Sequence, residues 1–247
     1  MTVEHAALAS APSPTLGPAT GTRRRDGAVV LLATLSGATD AIGLLALGGS
    51  FTSVMTGNMV FLGVAVGTRH AAALGFTLAA IGGYVVGVLT GARVAGEPQQ
   101  GDSIWPRQVT RGLLLELACF AVSAAVWWAE GSEPPRALFA ALLAINAAAL
   151  GIQSSVIIRF GVSGLSATYM TGTLTTMLAR IAGRHPLSSV GRSGALLAGL
   201  ICGAAAGGLV YAQARSLVPA LQLVLLLGAI AIGARARTPR SHEGAIR

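Results

Sequence analysis

Long apolar runs alternate with short polar breaks along the chain, and the runs have the length of membrane spans. A helix needs roughly 20 mostly apolar residues to cross a bilayer, within a range of ~17–25. Eight segments qualify, at about 28–48, 53–68, 72–95, 108–129, 136–158, 165–182, 190–213 and 216–235. The second and sixth are short and rich in Thr, Ser and Gly, which makes them the weakest as plain spans. The pattern predicts an all-α polytopic membrane protein of about eight transmembrane helices, with six or seven as alternatives.

Composition agrees. Hydrophobic residues make up 53% of the 247, charged residues 11%, and the mean hydropathy is +0.69. Soluble domains carry about 25% charged residues, so a water-soluble enzyme, a disulfide scaffold and a disordered tail protein are excluded. Residues 1–22 form an Ala/Pro/Ser/Thr-rich stretch without periodicity and are expected to be disordered. The run RRRDG before the first apolar segment resembles a twin-arginine signal, but the apolar pattern continues through several more spans. It therefore reads as an uncleaved first span. The organisation expected is a tail over 1–26, a membrane repeat over 27–130, a second over 131–235, and a tail over 236–247.

The net charge of +8 arises from 17 basic residues that are all Arg, and aromatics are only 5%. No basic stripe interleaved with aromatics occurs, so the arginines read as topology determinants and no nucleic-acid partner is expected. With eight spans, twelve arginines fall at ends on the side of the N-terminus. Five (Arg93, Arg107, Arg111, Arg159 and Arg215) fall on the other side. The asymmetry places both termini in the cytoplasm. Cys119 and Cys202 lie inside apolar runs and read as packing residues. His5, His70, His185 and His242 are too dispersed for a metal site, and no cofactor is expected.

The chain repeats itself. FTSVMTGNMVFLG (51–63) echoes SATYMTGTLTTML (166–178), with Met55, Thr56 and Gly57 matching Met170, Thr171 and Gly172 at an offset of 115. Gly83, Gly87 and Gly91 likewise match Gly199, Gly203 and Gly207. A small residue every four positions lets helix backbones approach closely in lipid, so these glycines are expected to be scaffold. Four spans per half make the repeat parallel; an odd number per half inverts it.

Three features carry candidate chemistry. Asp40 lies about twelve residues, or roughly 18 Å, into the first span, where a carboxylate costs ~2.5–3.5 kcal/mol on insertion scales. It is either a transport residue, the default for an intramembrane acid, or an acceptor of hydrogen bonds from a nearby broken helix. The paired Met-Thr-Gly motifs, with Asn58 and Thr173 following, allow local breaks whose hydroxyls re-satisfy the backbone. Short or broken helices at matching places in two halves point to a substrate site. Gln153, Ser154 and Ser155 form a polar turn in the fifth span, with Asn146 on the same face. Asp40 is expected to face an interior bounded by Thr56, Asn58, Gln153, Thr171 and Thr173. Glu116 is read as an acid that snorkels to the interface or pairs with an arginine there.

The stretches SGATDAIGLLALGGSFTSVMTGNMVFLG and GIQSSVIIRFGVSGLSATYMTGTLTTM resemble the two signature stretches of the YoaK-like family of bacterial integral membrane proteins, a resemblance that covers nearly all of 28–235. It implies a multi-pass protein of the bacterial inner membrane and carries no substrate or activity. The family's Gln-Asn pair stands here as Gln153-Ser154.

The leading expectation is a small secondary transporter or permease with Asp40, Thr56, Asn58, Gln153, Ser154, Thr171 and Thr173 as substrate- or ion-binding residues. Its partners are the bilayer and a small solute or ion, protons included; self-association is left open. The alternative is a non-transporting scaffold or assembly partner. No Ser/His/Asp set, HExxH or nucleotide loop occurs, so no enzyme is expected.

Overall fold

The computed structural model describes residues 18–97, 102–160, 170–184, 186 and 190–236. Its helices in chain order are α1 (Pro18–Ala46), α2 (Met55–Gly67), α3 (Ala71–Ala95), α4 (Arg107–Ala129), α5 (Arg136–Ile158), α6 (Met170–Ala182), α7 (Gly191–Gln213) and α8 (Val218–Ala234). No strand occurs among the described residues. The fold is an all-α, multi-pass membrane bundle.

Among the described residues six helices are long and apolar enough to span: α1 from Thr20, α3, α4, α5, α7, and α8 with the 3₁₀ turn Arg215–Leu217 before it. The short helices α2 and α6 have 13 residues each, about 20 Å at 1.5 Å per residue, below the ~30 Å hydrocarbon core. The count among the described residues is therefore six, one of the alternatives that the sequence left open. In the second segment the non-helical residues before Met55 leave a helix too short to span; the start of the sixth, 165–169, lies outside the described residues. Helix α1 also begins at Pro18, inside the stretch assigned to the N-terminal tail; residues 1–17 and 237–247 of the two tails lie outside the described residues.

Close contacts fix the relative directions of the helices. Gly199, Gly203 and Gly207 of α7 lie on the backbone of α1 at Val30, Thr34 and Ala38, so α1 and α7 run parallel. Gly83, Gly87 and Gly91 of α3 lie on Ala144, Ala148 and Ile152 of α5, again in parallel. A Cβ at Gly83, Gly87 or Gly203 would overlap a carbonyl oxygen of the facing helix, so the repeated glycines are helix-packing residues, as their spacing required. In contrast, Gln153 reaches Ser36 and Leu32 while Leu143 lies beside Gly43, which makes α5 antiparallel to α1. Asn146 bonds Ser123, and Val156 lies on Gly112, so α4 is antiparallel to α5. Gln222 bonds Thr39, and Leu31 lies beside Gly228, so α8 is antiparallel to α1.

These directions sort the arginines differently from an eight-span count. Arg24 bonds the Arg235 carbonyl, Arg192 pairs with Asp26, and Arg159 pairs with Asp102 at 3.1 Å, all at the end where α1 begins. Arg93, Arg107 and Arg111 share that end, because α3 finishes and α4 starts there. Of the described arginines, Arg69, Arg136 and Arg215 stand at the far end. Two apolar clusters fill the bundle. One is built on Leu32, Leu35, Trp105, Leu113, Phe120, Leu150 and Leu226, the other on Ile42, Leu47, Trp127 and Leu143. Side chains such as Val60, Val86, Ile201 and Val224 remain exposed, as a lipid-facing surface allows.

Candidate functional site

Helix α1 ends where Gly43 O accepts from the amides of Leu47 and Gly49. Gly48 and Gly49 have φ of 101° and 84°, a left-handed ending suited to glycine. The chain then doubles back along α1. A Cβ at Gly43 would stand 2.6 Å from the Ser50 carbonyl oxygen, so the missing side chain is what lets this segment lie on the helix. Residues 50–54 thus form a non-helical stretch inside the bundle, and such backbone is tolerated at depth only if its polar groups are satisfied.

Asp40 and Asn58 satisfy them. Oδ1 of Asp40 accepts from the Thr52 amide (2.7 Å), the Thr52 hydroxyl (2.9 Å) and the Ser53 amide (2.7 Å). Its Oδ2 accepts from the Ser53 hydroxyl at 2.6 Å. Asn58, one turn into α2, accepts from the Phe51 amide at 2.9 Å and donates to the Phe51 carbonyl at 2.7 Å. Ser50 bonds Thr77 of α3 at 3.3 Å. Four donors thus converge on one carboxylate, three at Oδ1 and one at Oδ2. This geometry is that of an acid accepting from a broken helix.

A second polar group runs across the middle of the bundle. Gln153 donates to Ser36 at 2.9 Å, one turn before Asp40, and its carbonyl oxygen has no partner. Gln222 of α8 donates to Thr39 (3.1 Å) and to Asn146 (3.0 Å), and Asn146 donates to Ser123 (2.9 Å). Four helices are joined by one chain of amides and hydroxyls. Gln222 was missed in the sequence; as the one strongly polar side chain within the described α8, its signal was there to read.

The expected residues are thus only partly gathered. Asp40 and Asn58 meet on the same segment, and Gln153 stands one turn away. Thr56 and Thr171 are exposed on their helices and do not bound Asp40. Ser154 bonds its own helix at Leu150. Thr173 is buried and its hydroxyl has no partner; the segment 161–169 before it lies outside the described residues. Thr52 and Ser53 are the actual partners of Asp40, and pairing across twelve residues and a turn leaves no helical spacing to read.

Glu116 departs from its expectation. It is fully buried in α4, and neither carboxyl oxygen has a partner. Arg111 is exposed and five residues back, about 140° around the helix at 3.6 residues per turn, so it cannot serve.

At the far end a cleft of about 420 Å³ opens between the ends of α1 and α7 and the starts of α3 and α5. His70, Phe76, Arg136, Phe139 and Tyr211 line it, and no carboxylate does. A smaller one of about 210 Å³ shares Gly48, Gly49, His70 and Ala73 with it and reaches Ser50 and Thr77. The smaller cleft therefore touches the start of the segment that Asp40 holds, and the larger one adjoins it at Gly48 and Gly49. Among the described residues no group of His, Cys, Asp and Glu is arranged to hold a metal.

The chain is 34% identical over 160 residues to the UPF0700 transmembrane protein YoaK of Bacillus subtilis (strain 168), which covers 65% of this chain and 68% of the relative. No solved structure matches it. The model of a family described as a protein of unknown function, DUF1275, matches residues 28–233. Spanning the bundle from α1 to α8, that match identifies the chain as a member of the DUF1275 family of membrane proteins, to which its YoaK-like signature stretches had pointed.

Proposed function

We propose that this protein is a small secondary transporter of the bacterial cytoplasmic membrane, made of two repeats of opposite orientation. The observation that carries the reading is the pair of 13-residue helices, α2 and α6, that begin at Met55 and Met170, at equivalent points of the two halves. Discontinuous helices at matching places in two halves mark the substrate region of many transporters.

The packing supports the repeat. Exchanging α1 with α5, α2 with α6, α3 with α7 and α4 with α8 reproduces the neighbours: α1 on α7 and α8 becomes α5 on α3 and α4. Because α1 and α5 are antiparallel, and each half has three long helices, the two repeats are inverted. A parallel repeat needs four spans per half, which helices as short as α2 and α6 do not support. The arginine distribution supports cytoplasmic tails more strongly on this arrangement than on the eight-span one, with only Arg69, Arg136 and Arg215 of the described arginines at the far end.

In this reading the solute enters the far-side cleft past His70 and Arg136 and meets residues 50–54. Asp40 and Asn58 shape that segment, Gln153 and Ser154 lie in the wall behind it, and Thr173 is the counterpart of Asn58. Thr56 and Thr171 stand on the rims of the two short helices. Purified protein should gain thermal stability with at least one small solute in a broad panel, by about 2.7 kcal/mol at a concentration 100 times the Kd. Arg136→Ala should abolish that gain. A protein that responds to no solute, and copurifies with a fixed partner, is a scaffold instead.

A further inference from the structure

Glu116 is the described acid buried within the bundle with no partner at all, and its register decides what it can do. Gly112, Glu116, Phe120 and Ser123 form a stripe at helical spacing on α4, and Asn146, Leu150, Gln153 and Val156 form one on α5. The stripes face each other in antiparallel sense, because Val156 lies on Gly112 and Asn146 bonds Ser123 at 2.9 Å. Between those two contacts, Glu116 comes level with Gln153. Gln153 is spoken for at its nitrogen, by Ser36 and the Leu32 carbonyl, while its oxygen is buried and free. A buried oxygen needing a donor thus stands level with a carboxyl whose ionised form has no donor or cation to stabilise it.

No charge nearby changes this. On α4 the neighbours are Cys119 and the exposed Arg111; α8 carries no titratable side chain between Val218 and Ala234. On α5, Arg159 is tied to Asp102 and the Glu97 carbonyl at the bundle end. On α3, Tyr84 stands at mid-helix with an interaction of its own and Arg93 lies in the last turn, and on α1 Asp40 is committed to Thr52 and Ser53. An unpaired ionised carboxyl in such surroundings is far more costly than a neutral one that donates a hydrogen bond.

We propose that Glu116 is a proton-binding site: it carries a proton at neutral pH and donates it to the Gln153 oxygen. The link continues through Gln153 to Ser36, on the turn of α1 before Asp40. Loss of the proton at Glu116 would leave a bare charge facing Gln153 and pull the amide from Ser36, one turn before the residue that holds the segment 50–54. The role deepens the transporter reading and rests on it for its use, but the protonation can be tested without transport.

Infrared spectra of the purified protein in lipid at neutral pH should contain the carbonyl band of a protonated carboxylic acid, absent in Glu116→Gln and retained in Asp40→Asn. Gln153→Leu should shift that band to the higher frequency of an acid without a hydrogen-bond acceptor. A band that is missing in the wild type, or present unchanged in Glu116→Gln, overturns the site; a band that Gln153→Leu does not move overturns the pairing. A band behaving as expected in a protein that shows no solute response would sink the transporter reading alone.

Discussion

Truncating Asp40 to Ala should unseat the segment 50–54, and the structure sets the size of the effect. Four donors lose their acceptor: the Thr52 and Ser53 amides and the two hydroxyls. The hydroxyls can rotate to nearby carbonyls, but the amides are fixed by the backbone. Each buried donor left unsatisfied costs about 1–3 kcal/mol, so two amides give about 2–6 kcal/mol. Asp40→Asn keeps an oxygen for the donors to Oδ1 and loses only the acceptor for Ser53 Oγ, which can turn to accept from the new amide nitrogen. Its cost should be about 1 kcal/mol, the net worth of a typical hydrogen bond. Reversible unfolding of both variants in mixed micelles measures the difference. If Asp40→Ala falls within about 1 kcal/mol of the wild type, the carboxylate is not what holds this segment, and the description of the site is wrong.

Other substitutions probe the packing and the arrangement of the helices. Gly203→Leu should prevent α1 and α7 from closing and abolish stable folding, whereas Gly63→Ala, with open space around it, should fold normally; yield and unfolding of the two purified variants decide. Asn146→Leu removes the centre of the Gln222–Asn146–Ser123 chain, and two buried partners left wanting should cost about 2–6 kcal/mol by the same unfolding assay. In a background with Cys119 and Cys202 replaced by Ser, Arg69→Cys and Arg192→Cys should react with an impermeant thiol reagent from opposite sides of the membrane; labelling from one side would break the six-span arrangement.

Much of the fold could be read from the sequence, because the bilayer imposes length and apolarity on every crossing helix. The glycine spacing at 83–91 and 199–207 named two packing faces, and the motif offset of 115 recurs in the starts of α2 and α6. The span count was harder. A window of apolar residues does not distinguish a crossing helix from a 13-residue helix preceded by a non-helical turn, as α2 is. The site was legible at Asp40 and Asn58, whose polarity stands out against the span. The pairing of Thr52 and Ser53 with Asp40 was hidden because a fold-back, not a helical period, brings them together. Glu116 was misjudged because proximity to Arg111 in sequence suggested a pair that the helix turns to opposite faces.

A transporter built this way must expose the segment beside Asp40 to both sides of the membrane in turn. Ser50 lines the smaller cleft at the far end, so Ser50→Cys in the Cys119→Ser, Cys202→Ser background can be labelled with an impermeant thiol reagent in right-side-out and inside-out vesicles. A transporter that alternates predicts reaction from both faces, with labelling from one face slowed when a bound solute favours the opposite opening. Reaction from the far face alone, whatever solute is added, would leave a closed membrane scaffold and contradict the account.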